Sequence, residues 1–288
     1  MLSVNTNINS KVTINALKQN ELRMSQAMER LSTGLRINSS ADDAAGNKIA
    51  NRMTAQIQGL EGALVNAQHA ISMVETAEGS TVEVSNILLR MRELAVASQN
   101  GTFKTEDRAA MHVEFTQLQT ELERIADDSQ FNGTNILDGD VGSSGTVTFQ
   151  IGANSGQSIT VAFGEFETEE TAGVYGGAID SATIGVNTSD SAADALTAID
   201  TAIAGVDEQR ATFGAALKRL SMAVDNLSNT KINVEASRSR VQDTDYAAET
   251  AELARTQIIA QAGIAMLAQA NMQPQSVIAL LQGELDGE

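Results

Sequence analysis

Apolar residues recur at alternating steps of three and four along extended stretches of this chain, and they form narrow stripes rather than broad faces. Such a stripe is typical of a helix that packs against another helix along a single seam. Because one helix cannot bury its own stripe, each stretch needs a partner helix or another copy of the chain. The first stripe has Glu21 as its one polar member and otherwise consists of Ile14, Leu17, Met24, Met28, Leu31 and Leu35.

The scarcity of aromatic residues and proline favours helix-on-helix packing over a thick globular core. Aromatic residues make up 3% of the 288 residues, tryptophan and cysteine are absent, and Pro274 is the only proline. Seams of Leu, Ile, Val, Met and Ala need no large rings, and nearly all of the chain before Pro274 is free to be helical. The absence of cysteine also excludes disulfides and thiolate chemistry.

Further stripes predict long helices that can pair with one another. The second stripe follows a turn at residues 38–43, where Ser and Asp side chains can cap a helix, and it extends to Asn100 with a slight change of phase after Val74. At ~1.5 Å per residue, a helix over 44–99 is on the order of 80 Å long. The remaining helical patterns lie within residues 105–125, within 196–227, and from about Asp245 onward.

The periodicity changes to two in a central region at about 141–188. Residues 147–151 and 158–163 alternate apolar and polar side chains around a segment that contains glycine, which predicts a β-hairpin. The sequence therefore predicts a mainly α fold of long coiled-coil helices, in which the later stripe is long enough to pair with the first and a small β-hairpin lies in the central part of the chain.

The charge distribution limits the partners. The net charge is −18, and residues 121–210 carry sixteen acids but only two basic residues, Arg124 and Arg210. An acidic chain is a poor ligand for nucleic acid. The sequence has no run of about 18 apolar residues, so we expect no membrane span. The first 30 residues lack the basic and apolar regions of a cleavable signal peptide, so we expect no such peptide.

Residue patterns typical of catalysis or metal binding are missing from the sequence. The only histidines, His69 and His112, lie 43 positions apart in helical patterns, so we expect no metal site and no cofactor. Asp42 and Asp43 could form a carboxylate pair for acid–base chemistry, but their place at a helix boundary favours capping. With no phosphate loop or nucleophile elbow, the sequence predicts a protein that is not an enzyme.

Both ends of the chain carry ordered motifs. The N-terminal motifs are Asn5-Thr-Asn, Arg30-Leu-Ser-Thr-Gly-Leu-Arg-Ile-Asn-Ser, Asp42-Asp-Ala-Ala-Gly, Thr76-Ala-Glu-Gly, Arg92-Glu-Leu-Ala-Val and Phe131-Asn-Gly-Thr. The C-terminal motifs are Arg210-Ala-Thr-Phe-Gly-Ala, Ser237-Arg-Ser-Arg-Val-Gln-Asp-Thr-Asp-Tyr and Gln261-Ala-Gly-Ile-Ala-Met-Leu-Ala-Gln-Ala-Asn. Together they resemble bacterial flagellin over about residues 1–140 and 190–281, and the chain is similar to a short flagellin without large outer domains.

This resemblance implies a structural subunit that polymerises with other copies into the hollow helical filament of the bacterial flagellum. It also implies long antiparallel coiled-coil helices that pair the N- and C-terminal segments. Residues 1–43 and 246–288 would form an inner terminal coiled-coil domain, and residues 44–245 a helical rod domain. The implied location is the extracellular filament, reached by type III export. The implied partners are a secretion chaperone, the filament cap and hook-associated proteins. The expected assembly seams are Ile14, Leu17, Met24, Met28, Leu31, Leu35, Ile258, Met266 and Leu267.

The resemblance also implies two surface features. In many flagellins an exposed Arg, Leu and Glu contact the vertebrate innate immune receptor for flagellin, and Arg90, Leu94 and Glu114 match these positions, although Leu89 departs from the polar residue often found beside the Arg. These residues could equally serve subunit packing. Some flagellins carry O-linked sugars, for which the candidates are Ser181, Thr183, Thr188, Ser189 and Ser191.

Two other functions remain open from the sequence. A hook–filament junction protein shares terminal helices with flagellin but forms a limited ring between hook and filament. A soluble ligand of the host receptor would be a second role for the same chain, because a free monomer exposes surfaces that a filament buries.

Overall fold

The computed structural model describes residues 7–167, 173–175, 179 and 184–285, with side chains described as far as Met272. Five helices and four short strands lie within these residues. The helices are α1 (Ile8–Thr33), α2 (Ala44–Gln99), α3 (Thr105–Asp128), α4 (Ser189–Gln242) and α5 (Tyr246–Leu285). The strands are β1 (Gln130–Phe131), β2 (Thr134–Asn135), β3 (Thr146–Gln150) and β4 (Ser158–Ala162).

The chain divides into two compact units. One consists of Met1–Ala55 and Val234–Glu288, and the other of Gln56–Asn233. In the first unit α1 packs against α5, and in the second α2 packs against α4 and α3. The prediction of a mainly α fold with paired terminal helices and a small hairpin is confirmed. The assignment of 1–43 with 246–288 and of 44–245 to two layers of a filament stays a prediction.

Two aspartates hold the turn between α1 and α2. Asp43 caps α2, because its Oδ1 accepts hydrogen bonds from the backbone N–H groups of Ala45 at 3.0 Å and Gly46 at 2.9 Å. Asp42 Oδ2 accepts from the backbone N–H of Ser39 at 2.9 Å, and this bond holds the pKa of the Asp42 carboxyl below its ordinary value. The capping prediction is therefore confirmed for Asp43, whereas Asp42 stabilises the turn before the helix and does not cap it.

The backbone of this turn also pairs with the segment between α4 and α5. Gly34 ends α1 in a left-handed conformation with a φ of 72°, and its N–H donates to the carbonyl of Arg30. The N–H of Arg36 donates to the carbonyl of Gln242 at 2.7 Å, and the N–H of Thr244 donates to the carbonyl of Gly34 at 3.0 Å. These bonds tie the two connections of the first unit to each other.

The buried stripe of α2 repeats every seven residues without a change of phase. Ten positions from Ala67 to Ser98, spaced by three and four, are each 0% exposed. They are Ala67, Ala70, Val74, Ala77, Thr81, Val84, Leu88, Met91, Ala95 and Ser98. The predicted phase change after Val74 is therefore wrong, because small and weakly polar side chains occupy positions that hydrophobicity alone does not mark.

Ion pairs show that α2 and α4 run antiparallel in one register within the second unit. Lys231 Nζ lies 2.7 Å from Glu61 Oε1, and Arg92 Nε lies 2.7 Å from Asp200 Oδ1. The two α2 residues are 31 positions apart, and so are the two α4 residues. The two helices therefore advance by equal steps between these pairs.

The predicted hairpin is present and packs beside α2. Strands β3 and β4 are antiparallel, with Val147 opposite Val161 and Phe149 opposite Ile159. A Cβ at Gly59 of α2 would lie 2.9 Å from the Cβ of Ala153 in the hairpin loop, so the absence of a side chain at Gly59 permits this approach.

A second, smaller hairpin was missed by the sequence analysis. Strands β1 and β2 are joined by Asn132 and Gly133, which have φ angles of 52° and 78°. Two positive φ angles are required by the tightest hairpin turn, and the Asn-Gly dipeptide is its usual sequence. That dipeptide was the available signal.

We predict that Phe115→Ala lowers the free energy of unfolding by about 3–5 kcal/mol, because it leaves a cavity where an aromatic ring is fully buried. The measurement is urea denaturation of the full chain. Val113→Ala on the same helix is the control, because Val113 is 59% exposed, and it should change the value by at most about 0.5 kcal/mol. Equal effects of the two substitutions would contradict this description of the core.

Candidate assembly surfaces on the helix pairs

Helices α1 and α5 pack along a seam with a seven-residue repeat on both sides. The buried and half-buried positions alternate by three and four in each helix, as in a coiled coil. On α1 these positions are Ser10, Thr13, Leu17, Asn20, Met24, Ala27 and Leu31. On α5 they are Leu253, Thr256, Ala260, Gly263, Leu267 and Ala270.

Close approach between the two helices depends on the small residues of α5. A Cβ added at Gly263 would lie 3.1 Å from Cγ of Leu17, so the leucine side chain occupies the space above the glycine. This is the arrangement of a side chain that inserts between residues of the facing helix. Large apolar groups from one helix thus fit against small groups of the other.

Polar side chains at the same seam bond directly to the facing backbone. Asn20 is 6% exposed, and its Nδ2 donates to the carbonyl of Thr256 at 2.7 Å. Thr256 is also buried, and its hydroxyl donates to the carbonyl of Glu252 at 2.9 Å. A satisfied amide at one seam position is a known means of specifying the register of paired helices. Asn20 was not predicted as a seam residue from the sequence, although a polar residue in register with Met24 and Ala27 was the signal.

The predicted assembly residues divide between this seam and the exposed surface. Leu17, Met24, Leu31 and Leu267 are half-buried at the α1–α5 seam, and Leu35 is half-buried just after α1, where it pairs with Asp243. The other four are exposed in the single chain: Ile14, Met28, Ile258 and Met266. The predicted stripe of α1 therefore includes side chains on the seam and side chains beside it, because Thr13, Asn20 and Ala27 occupy the seam positions next to Ile14, Glu21 and Met28.

Exposed apolar residues lie on several sides of α5. Ile258 is 66% exposed and lies two positions after the buried Thr256, so it projects away from the seam. Among the described side chains of α5, Tyr246, Ile259, Ile264, Met266 and Met272 are also exposed. A helix that is apolar around most of its circumference is normally buried. Pairing with α1 covers only part of α5.

A further exposed stripe lies on α2, on the side away from its buried repeat. Val82, Leu89 and Val96 are spaced by seven residues and are 37%, 50% and 48% exposed. A shallow groove next to Leu89 and Val96 is also lined by Arg92 and Glu93. The sequence analysis did not identify this stripe, although its seven-residue spacing was visible.

The three residues matched to receptor contacts differ in their environment. The guanidinium of Arg90 lies 2.8 Å from both Glu93 and Glu114, and its hydrogen bond with Glu114 raises the pKa of Arg90 above its ordinary value. Leu94 is only 6% exposed and belongs to the core of the second unit. The implied exposure of Leu94 is therefore wrong in this chain, because Leu94 is adjacent to the buried repeat of α2.

The candidate glycosylation residues also fall into different settings. Thr188 and Ser191 cap the start of α4, because the N–H of each donates to the hydroxyl of the other at 3.1 Å. Ser189 is exposed in the first turn of α4. Ser181 and Thr183 lie outside the described residues.

The described residues contain no group of three or more His, Cys, Asp or Glu side chains placed to hold a metal ion. His112 instead accepts a long hydrogen bond, 3.4 Å, from the backbone N–H of Val186 through Nδ1. Within the same residues, every helix is too short or too polar to cross a membrane.

Comparisons with known proteins identify the family. Residues 4–141 match the family model of the bacterial flagellin N-terminal helical region, and residues 196–281 match that of the bacterial flagellin C-terminal helical region. A flagellin of Halalkalibacterium halodurans is 46% identical over 259 residues, which cover 89% of this chain and 91% of the relative. Flagellin FlaB2 of Treponema pallidum is 38% identical over 286 residues, which cover 97% and 99% of the two chains.

A solved structure supports the fold. A structure described as a putative flagellar hook-associated protein from Vibrio parahaemolyticus is similar, with a TM-score of 0.58 over 70% of this chain and all of that chain. At 16% identity, this likeness shows the fold alone. The two matched regions and the relatives of nearly equal length show that this chain of 288 residues belongs to the bacterial flagellin family and is a short member of it.

Proposed function

We propose that the chain is a structural subunit that polymerises into the helical filament of the bacterial flagellum. The observation that carries the proposal is the exposed apolar surface of α5, led by Ile258 and Met266, in a member of the flagellin family. Apolar side chains on several sides of one helix require more neighbours than α1 alone supplies. Neighbouring copies of the chain can provide them.

The energetics favour assembly through repeated contacts. Head-to-tail contacts that do not close into a ring produce an open helical polymer. Each buried Å2 of apolar surface contributes ~25 cal/mol, so modest areas at several contacts of each subunit can offset the cost of ordering. The four exposed members of the predicted assembly set, Ile14, Met28, Ile258 and Met266, are the side chains we assign to these contacts.

The same family resemblance underlies a proposed route and location. We propose export without a cleavable signal peptide through the flagellar type III apparatus, and a final extracellular location in the filament. The proposed partners are a secretion chaperone, the filament cap and hook-associated proteins. Copurification of these partners with the chain from its bacterium would test this part of the proposal.

The junction-protein alternative has less support. The similar hook-associated structure shares the fold at 16% identity, whereas flagellins share 46% and 38% identity over nearly whole chains. A structural role also fits a family of filament proteins better than catalysis does. We therefore assign the filament function first.

Recognition by the vertebrate immune receptor for flagellin is proposed as a second role of the free chain. The observation that favours it is the exposed pair of Arg90 and Glu114, which lies beside the exposed Leu89. Leu94 contributes to this surface only by supporting it from the core. The same surface can serve subunit packing within a filament.

We propose O-glycosylation only for hydroxyls whose modification leaves the helix cap intact. Thr188 and Ser191 use their hydroxyls to cap α4, so Ser189 is the favoured candidate among the described residues. Ser181 and Thr183 remain candidates from the sequence. An intact mass of the native protein equal to the sequence mass would exclude glycosylation at all five positions.

We predict that Ile258→Gln raises the critical concentration for polymerisation by about ten- to a hundredfold, because burial of a side chain of this size contributes about 1.5–3 kcal/mol. The wild-type chain, seeded with short filament fragments at neutral pH, should form long, uniform hollow filaments in electron micrographs. Sedimentation of the polymer gives the critical concentration.

Arg255→Gln is the control for this substitution. It introduces the same residue on α5 and removes only an exposed ion pair with Glu252, so the critical concentration should stay within about twofold of wild type. Unchanged polymerisation of Ile258→Gln would contradict the assigned contact. Short rings or monomers of wild type, under conditions that polymerise a known flagellin, would favour the junction protein.

We predict that Arg90→Ala abolishes signalling by the host receptor in reporter cells treated with the monomer, because it removes the cation of the exposed pair. Arg124→Ala is the matched control, since Arg124 is another exposed arginine with two carboxylate partners, Glu121 and Asp128. The control should signal like wild type. A wild-type chain that gives no signal would end the receptor proposal.

A further inference from the structure

Helix α5 continues through a proline. It extends from Tyr246 to Leu285 and includes Pro274, the only proline of the chain. A proline has no backbone N–H, so the carbonyl four residues earlier, that of Ala270, loses its regular i+4 helical hydrogen bond. Ala270 is half-buried at the seam with α1, where a donor from elsewhere stabilises a carbonyl that has lost its helical partner.

The donor is the side chain of Asn7. Its Nδ2 donates to the carbonyl of Ala270 at 2.7 Å. Its Oδ1 accepts from the backbone N–H of Ser10 at 3.0 Å and thereby caps α1. The N–H of Ser10 needs an acceptor and the carbonyl of Ala270 needs a donor, so the orientation of the Asn7 amide is fixed by both partners.

The contact of Asn7 differs from the similar contact of Asn20. The carbonyl of Thr256, to which Asn20 donates at 2.7 Å, lies four residues before Ala260, whose backbone N–H is available to it within the helix. Asn20 therefore adds a bond to a carbonyl that already has a helical donor. Asn7 replaces a bond that Pro274 removes.

Because of this difference, the hydrogen bond of Asn7 favours one register of α1 on α5 over the others. Ala270 is the only carbonyl of α5 that loses a helical donor because of proline, since the chain has a single proline. If α1 shifted by one turn, Asn7 would face a carbonyl that already has its helical bond, and the carbonyl of Ala270 would stay unpaired. Each incorrect register therefore loses a hydrogen bond that the correct register retains.

We propose that Asn7 and Pro274 form a matched pair that sets the register of α1 on α5, and that Asn7 is thus a positioning residue for filament assembly. The proposal rests on the proposed filament function. The two groups that interact are the side-chain amide of Asn7, which donates, and the backbone carbonyl of Ala270, which has lost its i+4 donor. Donor and acceptor belong to the same chain.

A double-mutant cycle tests the pair. Asn7→Asp keeps the oxygen that caps α1 but removes the amide donor, so it should raise the critical concentration for polymerisation by about five- to tenfold, the value of one such hydrogen bond. Pro274→Ala restores an N–H for the carbonyl of Ala270. In that background Asn7→Asp should have an effect of less than about twofold. Such rescue is not expected if Asn7 only caps α1.

Controls separate the possible outcomes. Asn9→Asp adds the same charge to the exposed first turn of α1 and should have an effect of less than twofold with either residue at position 274. Pro274→Gln provides a second background with a restored N–H. Equal effects of Asn7→Asp in all three backgrounds would overturn the pairing. Failure of wild type itself to polymerise would instead refute the proposed function, and hydrogen–deuterium exchange of α1 in the monomer would still show whether the two substitutions are coupled.

Discussion

The packing of one helix against another along a seam of two repeating positions is the interaction on which the other features of this chain depend. At these positions small residues are as important as large ones. The side chain of Leu17 packs over Gly263, and the buried repeat of α2 contains Ala, Thr and Ser together with Val, Leu and Met. A narrow seam of this kind brings the helices close, but it leaves the outer sides of each helix for other contacts.

Polar groups within the seams supply specificity that apolar packing lacks. A row of small apolar side chains tolerates a shift by one repeat with little loss, because each position resembles the next. The side chains of Asn20 and Ser98 donate to the backbone carbonyls of Thr256 and Val186. Such polar contacts favour one alignment, as buried amides do in coiled coils, and Asn7 does so more strongly because its acceptor lacks the i+4 helical donor.

The long helices and the central hairpin could be predicted from the sequence because periodicity extends over many residues and averages out local exceptions. The cap of α2 was also predictable, since Asp43 directly precedes a helical pattern. The seam itself was only partly predictable. An apolar residue such as Ile14 looks equivalent to Leu17 in a pattern of threes and fours, and only the path of the partner helix decides that Thr13 occupies the seam.

Other features depend on contacts between residues distant in the sequence, which periodicity does not reveal. The burial of Leu94 follows from the packing of other elements of the second unit against α2. The hydrogen bond from Asn7 to Ala270 joins residues separated by 263 positions. Neither the loss of a donor at Pro274 nor its replacement by an amide is visible in one segment alone. The partners of polar seam residues are therefore hard to predict from the sequence, although in the structure they indicate the register of the helices.

The equal spacing of the ion pairs between α2 and α4 has a consequence for how the chain can change in length during evolution. A residue inserted into α2 between Glu61 and Arg92 would rotate every later side chain by about 100° unless α4 gained a residue at the matching place. Insertions and deletions in these helices must therefore occur in pairs. The connection between Asp128 and Ser189 lies outside the two paired stretches, so a change of its length leaves the spacing of these ion pairs unaltered.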